Sequence, residues 1–163
     1  MQSALTKTLD SYELTLSEMT KEDIPGLHQL SIGVTWPHRP DDWTLLIGLG
    51  EGYVARDPIG RILGSAMWFP MGGNLASIGM VITSPRLQGH GAGRWLMNHI
   101  LNRVGTRGKV LNATKAAYRL YLSLDFVPRK TVFQHNGILT ALPDGPDGSR
   151  AICAGDIPAV IEL

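Results

Sequence analysis

The sequence predicts an α+β domain. Its core is a mixed, mostly antiparallel central sheet of about six or seven strands, flanked by about four helices in three layers. Three observations predict it. Short alternating or apolar runs recur at 12–18, 51–56, 61–69 and 75–83, with hairpin punctuation between the second and third. A strand, a glycine loop and an amphipathic helix follow one another across 75–104. Beyond that helix, short strand-like and helix-like segments alternate to about residue 142.

Size and composition bound the reading before any element is placed. The chain has 163 residues, 44% of them hydrophobic, which suits one domain with its own core. A net charge of +1 without a basic run argues against nucleic-acid binding driven by bulk charge. The single cysteine, Cys153, can form neither an internal disulfide nor a metal cluster. No apolar stretch approaches the ~20 residues of a membrane span, and residues 1–10 lack the apolar centre of a signal peptide. The expectation is a soluble cytoplasmic protein that binds no metal, membrane or nucleic acid.

Taken in order, residues 1–11 read as a loose lead-in, and Tyr12–Glu18 alternates as a first strand. Thr20 caps a helix whose first turn carries Glu22, Asp23 and Pro25 and whose apolar face is Ile24, Leu27 and Leu30. Ser31–Pro40 is irregular and holds Trp36 and His38. Asp41 and Asp42 open a second short helix, with Trp43, Leu46 and Ile47, that runs to about Leu49. Trp36, His38 and Trp43 fit two roles, the wall of a substrate pocket or plugs of the core. Residues 51–56 and 61–69 form a hairpin around Asp57-Pro-Ile-Gly60, and the second strand, apolar on both faces, belongs in the middle of the sheet. Leu75–Thr83 follows the turn Met71-Gly-Gly-Asn74 and leads into the glycine loop. Leu96, Met97, Ile100, Leu101 and Val104 make one face of the next helix, which Gly105 ends. Lys109–Asn112 is a short strand, Thr114 caps a helix with Ala116, Ala117, Leu120, Tyr121 and Leu124 on one face, and strands are expected at Thr131–His135 and Ile138–Leu142.

Residues 1–142 are thus expected to be the domain, and 143–149 (Pro-Asp-Gly-Pro-Asp-Gly-Ser) a linker. The tail Ala154-Gly-Asp-Ile-Pro-Ala-Val-Ile-Glu-Leu163 echoes Lys21–Leu30 with Asp, Ile, Pro and the final Leu at a constant offset of 133. The echo fits either a chance helix start or the opening of a second copy of the domain.

The central loop is Ser84-Pro-Arg-Leu-Gln-Gly-His-Gly-Ala-Gly-Arg94. Glycines in this pattern let successive backbone N–H groups curl round an anion, and the helix that follows presents its positive end there. A dinucleotide loop needs a third glycine where Arg94 stands, and a P-loop needs Gly-Lys-Ser/Thr, which is absent.

What remains, Pro85 three residues before Gln88-Gly-His-Gly91-Ala-Gly93, resembles the GNAT superfamily of acetyl-CoA-dependent N-acyltransferases, whose hallmark is Gln/Arg-x-x-Gly-x-Gly/Ala opening a helix. A second family stretch, Ala-x-x-Leu-Tyr-x-x-x-Gly-Phe, is matched by Ala117, Leu120, Tyr121 and Phe126, with Asp125 in the place of the usual Gly and Thr114 where many members have Asn. The order of elements from residue 12 to about 142 agrees with the family.

The resemblance implies that acetyl-CoA is the acyl donor, its pyrophosphate held by Gln88, Gly89, His90, Gly91, Ala92, Gly93 and Arg94, and its pantetheine arm paired with the backbone of Val81, Ile82 and Thr83. It also implies direct attack of an amine on the thioester, with Tyr121 as the acid for the leaving thiolate and Tyr118 as the fallback. The acceptor, a primary amine of a small molecule or amino acid, would enter beside Trp36, His38 and Trp43. Many members carry a glutamate on the strand before the loop; Leu75–Thr83 has no acid, so the base is left among His38, Asp41, Asp42, Glu51 and water. A non-catalytic CoA-binding or regulatory module of a tandem-domain protein is the alternative, and a homodimer is compatible with either.

Overall fold

The computed structural model describes residues 5–9, 12–135, 137–138, 140–141, 145–146 and 148–162. The chain divides into two units, residues 1–130 and 131–163.

The first unit is built on a six-stranded sheet in the order β1-β2-β3-β4-β5-β6. The strands are β1 (Leu5–Leu9), β2 (Tyr12–Glu18), β3 (Glu51–Arg56), β4 (Ile62–Met71), β5 (Leu75–Thr83) and β6 (Gly108–Leu111). All neighbours are antiparallel except β5 and β6, which run parallel. The parallel pair is joined by a crossover through α3 (Ala92–Val104), as parallel neighbours require. α1 (Ile24–Gly33) and α2 (Pro40–Leu49) precede β3, and the five-residue α4 (Tyr118–Leu122) follows β6. The sheet is mixed and mostly antiparallel, between helices on both faces. No helix among the described residues is long and apolar enough to cross a membrane.

Alternation along the strands sorts side chains between two cores. Leu14, Leu16, Tyr53, Ala55, Ala66 and Trp68 pack with Leu96, Met97, Ile100 and Val104 of α3 and with Tyr121. On the other face Val54, Met67, Met80 and Ile82 pack with Leu27 and Leu30 of α1 and Trp43 of α2. Strand β4 is buried from Leu63 to Trp68, in keeping with its inner place in the sheet.

A β-bulge in β5 breaks the regular pleat. Ser65 and Met67 of β4 pair with Ile82 and Gly79, so β5 spends one residue more than its partner. Met80, at φ 51°, takes up that residue. Ala76 and Ile78 therefore belong to the α3 core while Met80 and Ile82 belong to the α1 core, although all four share one parity. The wholly buried hydroxyl of Ser65 donates to the Met80 carbonyl at 2.8 Å, supplying a partner where the ladder is interrupted.

Three segments differ from the sequence reading. Leu5–Leu9 is an edge strand in register with β2 (Leu5 opposite Leu16, Leu9 opposite Tyr12), not a loose lead-in. Thr131–His135 forms no strand; Val132 and Phe133 are 71% and 76% exposed. Lys115–Ala117 turns rather than winds, so α4 is shorter than its apolar face implied, although Thr114 Oγ1 still accepts from the Ala117 N–H at 3.4 Å. In the strand expected at 138–142, Leu139 and Leu142 lie outside the described residues. So do Pro143, Asp144 and Asp147 of the expected linker, and with them the expected boundary at 142/143.

The second unit carries one 3-10 turn, Ala154–Asp156, running into α5 (Ile157–Ile161). Its geometry repeats that of Lys21–Asp23 running into α1. Asp23 and Asp156 each accept from the backbone N–H three residues back, of Thr20 at 2.9 Å and of Cys153 at 2.8 Å. Each also pairs with an arginine, Asp23 with Arg56 and Asp156 with Arg150. The likeness stops at burial: Leu27 of α1 is fully buried, whereas Val160, its counterpart in α5, is 52% exposed.

Candidate functional site

The site follows from the short reach of the parallel pairing. β6 pairs with β5 only from Leu75 to Ile78 and ends at Leu111. From Gly79 to Thr83, just where the bulge falls, no strand among the described residues pairs with the β5 edge on that side. This edge runs on to the glycine loop and the start of α3.

At Ser84 the chain turns. Its N–H donates to the Leu63 carbonyl at 2.8 Å, Pro85–Leu87 makes one 3-10 turn, and Leu87 is 1% exposed as the anchor of the loop. Gly89 and Gly91 then sit at φ 85° and 82°, a left-handed backbone that glycine adopts at least cost. Gly91 is the N-cap of α3 and offers no capping side chain, and the first intrahelical bond is Trp95 N–H to the Gly91 carbonyl at 3.0 Å. The N–H groups of Ala92, Gly93 and Arg94 thus lie in the turn that has no intrahelical acceptors. They converge at the positive end of the helix dipole, the arrangement that binds phosphate. A Cβ on Gly93 would stand 3.2 Å from Leu120 Cδ2, so its absence allows close packing of α3 on the α4 segment.

The side chains of the loop divide by what holds them. Gln88 Nε2 donates to the Thr83 carbonyl at 3.3 Å and ties the loop to the end of β5. His90 is exposed. Arg94 reaches α4, donating to the Ser123 carbonyl at 3.4 Å and to its Oγ at 2.5 Å. What Arg94 offers the cleft is therefore its backbone N–H, while its guanidinium braces α3 against α4. Val81, Ile82 and Thr83 present their backbone along the open edge, with the Ile82 side chain in the α1 core.

Tyr121 is 7% exposed and packs edge-on against Phe126, with ring centroids 6.0 Å apart. It belongs to the same core as Ile78 of β5 and Ala92 of α3. Burial pushes its phenol pKa above the ordinary tyrosine value of 10.0, so the group is protonated at neutral pH. Its hydroxyl has no hydrogen-bond partner among the described residues. Tyr118, by contrast, is 44% exposed. Past the end of α4, Asp125 takes φ 62°, while Phe126 N–H returns to the Tyr121 carbonyl at 3.1 Å. A left-handed residue explains why glycine is usual at that place in the family pattern, and aspartate is among the few others that tolerate it.

On the α1 face, Trp36, His38 and Trp43 form a chain of rings, with centroids 5.5 Å apart for the first pair and 6.3 Å for the second. Trp43 is fully buried, its Nε1 donating to Ser31 Oγ at 3.1 Å, so in this structure it packs as a core residue. His38 Nδ1 is buried without a hydrogen-bond partner among the described residues. Two of the three acids named as bases are held in ion pairs. Asp42 accepts from the Arg39 N–H at 2.7 Å and from its guanidinium, which hold its pKa down to about 2. Glu51 faces Arg103 at 3.5 Å, and Asp41 is exposed in the first turn of α2. Among the described residues no cluster of His, Cys, Asp and Glu could hold a metal ion.

Two site features had no place in the sequence reading. Ser65 was missed, although a lone serine inside the apolar run 62–69 marks a hydroxyl that must find a partner. The second is a cavity of about 680 Å³ between α1 and the start of β4 that reaches Ser84 and Arg86.

Residues 49–128 match the family described as acetyltransferase (GNAT) domain. The match runs from β3 through the glycine loop to Tyr121 and Phe126. No curated protein matches the chain. Among solved structures, a Staphylococcus aureus protein of unknown function, described as a probable acetyltransferase, superposes with a TM-score of 0.63 at 17% identity, over 76% of this chain and 98% of that one. A Trypanosoma brucei acetyltransferase gives a TM-score of 0.58 at 21% identity, over 76% and 99%. A predicted acetyltransferase from Clostridium acetobutylicum, solved with acetyl-CoA, gives 0.60 at 16%, over 76% and 96%. At such identities the superpositions speak for the fold, and the family match over the site carries the assignment: residues 49–128 are a GNAT acetyltransferase domain.

Proposed function

We propose that the protein transfers the acetyl group of acetyl-CoA to the primary amine of a small molecule or amino acid. The observation that carries this reading is the open β5 edge from Gly79 to Thr83, which leads directly to the uncapped first turn of α3. An extended arm that needs backbone partners and a pyrophosphate that needs N–H donors fit that continuous track, and acetyl-CoA has both in that order.

In the reaction a neutral amine attacks the thioester carbonyl. The C–N bond forms, the C–S bond breaks, the nitrogen loses a proton and the sulfur gains one. A backbone N–H of Val81–Thr83 faces the oxyanion. Tyr121, kept protonated by burial, gives its proton to the departing thiolate and is recharged from the amine side. His38 is the base we favour, because Asp42 and Glu51 already serve ion pairs while His38 Nδ1 lacks a partner among the described residues. The test is calorimetric titration with acetyl-CoA followed by thiol release over a panel of amines. Binding with turnover is expected; no binding, together with no difference for Gly91→Asp, would end the proposal.

A second reading is favoured by the recurring turn of the second unit. Residues 143–163 then comprise a linker and the opening of a second GNAT-like repeat, and the first domain, 1–142, is the CoA-binding module of a tandem protein. The matched aspartate-capped turns, each with its arginine, and the uncovered Val160 support it. Turnover separates the readings: acetyl-CoA bound without thiol release from any amine selects the module.

A further inference from the structure

The cavity beside α1 is bounded by Gly26, Leu30 and Gly33 on the helix, by Arg61 and Leu63 near the start of β4, and by Ser84–Arg86 where β5 enters the glycine loop. It therefore adjoins the end of the strand along which the acyl donor would lie. At about 680 Å³ it is of the size of small-molecule sites. Gly26 lets α1 approach β4, since a Cβ there would come within 2.9 Å of Ile62 Cδ1, whereas a Cβ at Gly33 would meet nothing within 4 Å, so the groove is open at that end.

The charges that line this groove are almost all spoken for. Asp23 pairs with Arg56. Arg61 pairs with Asp57 at 2.7 Å, and Asp57 also accepts from the Ile59 and Arg61 N–H groups. The neighbouring Thr20 side chain holds the Glu22 pKa below the ordinary glutamate range. Arg86 is the exception: it is exposed, and no carboxylate among the described residues pairs with it. A guanidinium is a planar fork that matches a carboxylate with two parallel hydrogen bonds. We infer that the groove receives the carboxylate end of the acceptor, with Arg86 as its counter-ion, so that the preferred acceptors are amines that carry a carboxylate. The inference rests on the acetyl-transfer reading and narrows its substrate class. The same guanidinium chemistry would suit a phosphate of the donor, and the experiment separates the two.

The probes are the proteinogenic amino acids and their carboxamides, titrated into protein saturated with CoA, which carries no acetyl group to transfer. At least one amino acid should bind about tenfold tighter than its amide. Arg86→Gln should bring that ratio to about one while the Kd of acetyl-CoA moves less than about twofold, and Arg86→Lys, which keeps the charge without the fork, should retain part of the preference. Three results overturn the inference: no amino acid binding better than its amide in the wild-type protein, a preference that survives Arg86→Gln, or a loss of acetyl-CoA affinity in that variant, which would give the guanidinium to the donor's phosphates. Failure of acetyl transfer itself reads differently: the acid-over-amide preference would persist with no thiol released from any amine.

Discussion

Gly91→Asp is the sharpest test of the track from β5 to α3, because it sets folding and donor binding against each other. Gly91 lies at φ 82°, and a Cβ there would meet no heavy atom within 4 Å, so the new side chain finds space but inherits a left-handed backbone. That strain costs about 1–2 kcal/mol for most residues, and less for aspartate. A carboxylate beside the helix start returns about 0.3–1 kcal/mol through the dipole. The net loss of stability is therefore at most about 1 kcal/mol, a Tm shift of roughly 2–4 °C for a chain of this size. Binding should suffer far more. The carboxylate competes for the N–H groups of Ala92, Gly93 and Arg94, each charge-assisted bond being worth about 1.5–3 kcal/mol. It also repels a pyrophosphate at ~5 Å by about 1–3 kcal/mol at an effective dielectric between bulk water and 20. A loss of about 3 kcal/mol raises the Kd of acetyl-CoA by at least roughly 100-fold. Gly91→Ala is the control: it carries the backbone strain without the charge and should cost affinity less than about tenfold. Calorimetric titration and thermal melts of the three proteins measure both quantities. An aspartate variant whose Kd stays within about threefold of wild type, or equals that of the alanine variant, would refute the placement of the pyrophosphate on this helix end.

Other substitutions read other parts of the structure. Tyr121→Phe should lower kcat about 100-fold with little change in the Kd of acetyl-CoA or in Tm, because the lost hydroxyl has no partner among the described residues and its expected work is proton transfer; kinetics against melting curves will show the split. Ser65→Ala leaves the Met80 carbonyl without its buried donor and should destabilise by about 1–3 kcal/mol in urea titration, with a weaker Kd for acetyl-CoA if the bulge relaxes. His99 Nε2 is buried without a partner, and burial, then Arg103, depress its pKa below 6.5. A depressed base leaves the unfolded chain as the better proton acceptor, so stability should fall as pH drops below about 6.5. Melts between pH 7.5 and 5.5 should show that slope in the wild type and a flatter one in His99→Phe, which keeps the edge contact with Tyr53.

The elements that could be read from the sequence are those whose burial matches a simple period. α3 showed its face because Leu96, Met97, Ile100 and Val104 are all 0–1% exposed on one core, and the glycine loop was legible because left-handed positions leave few residues to choose from. β1 was hidden by its short Leu-Thr-Lys-Thr-Leu pattern at a sheet edge, where pairing with β2 rather than composition decides the structure. Thr131–His135 failed in the opposite sense, since β-branched and aromatic residues state a preference for strand but name no partner. Trp43 was readable as buried or as pocket wall; only the Ser31 hydroxyl, from another helix, settles it as core.

The bulge in β5 shows why the site was harder to see than the fold. From Leu75 to Thr83 burial alternates without a break, and such a row reads as one regular strand with one buried face. The alternation is real, but the buried side changes: Ile78 points to the α3 core and Met80 to the α1 core. Hydrophobic periodicity reports whether a residue is buried and not into which core, so a phase slip between two good cores leaves no trace in the pattern. The slip falls where β6 stops pairing, and there the edge opens that the acetyl donor would use. The one residue that betrays it is Ser65, whose hydroxyl has no reason to lie in an apolar strand until the neighbouring strand presents a carbonyl out of register. In this chain the polar residue inside an apolar strand is a better pointer to the open β5 edge than any apolar residue beside it.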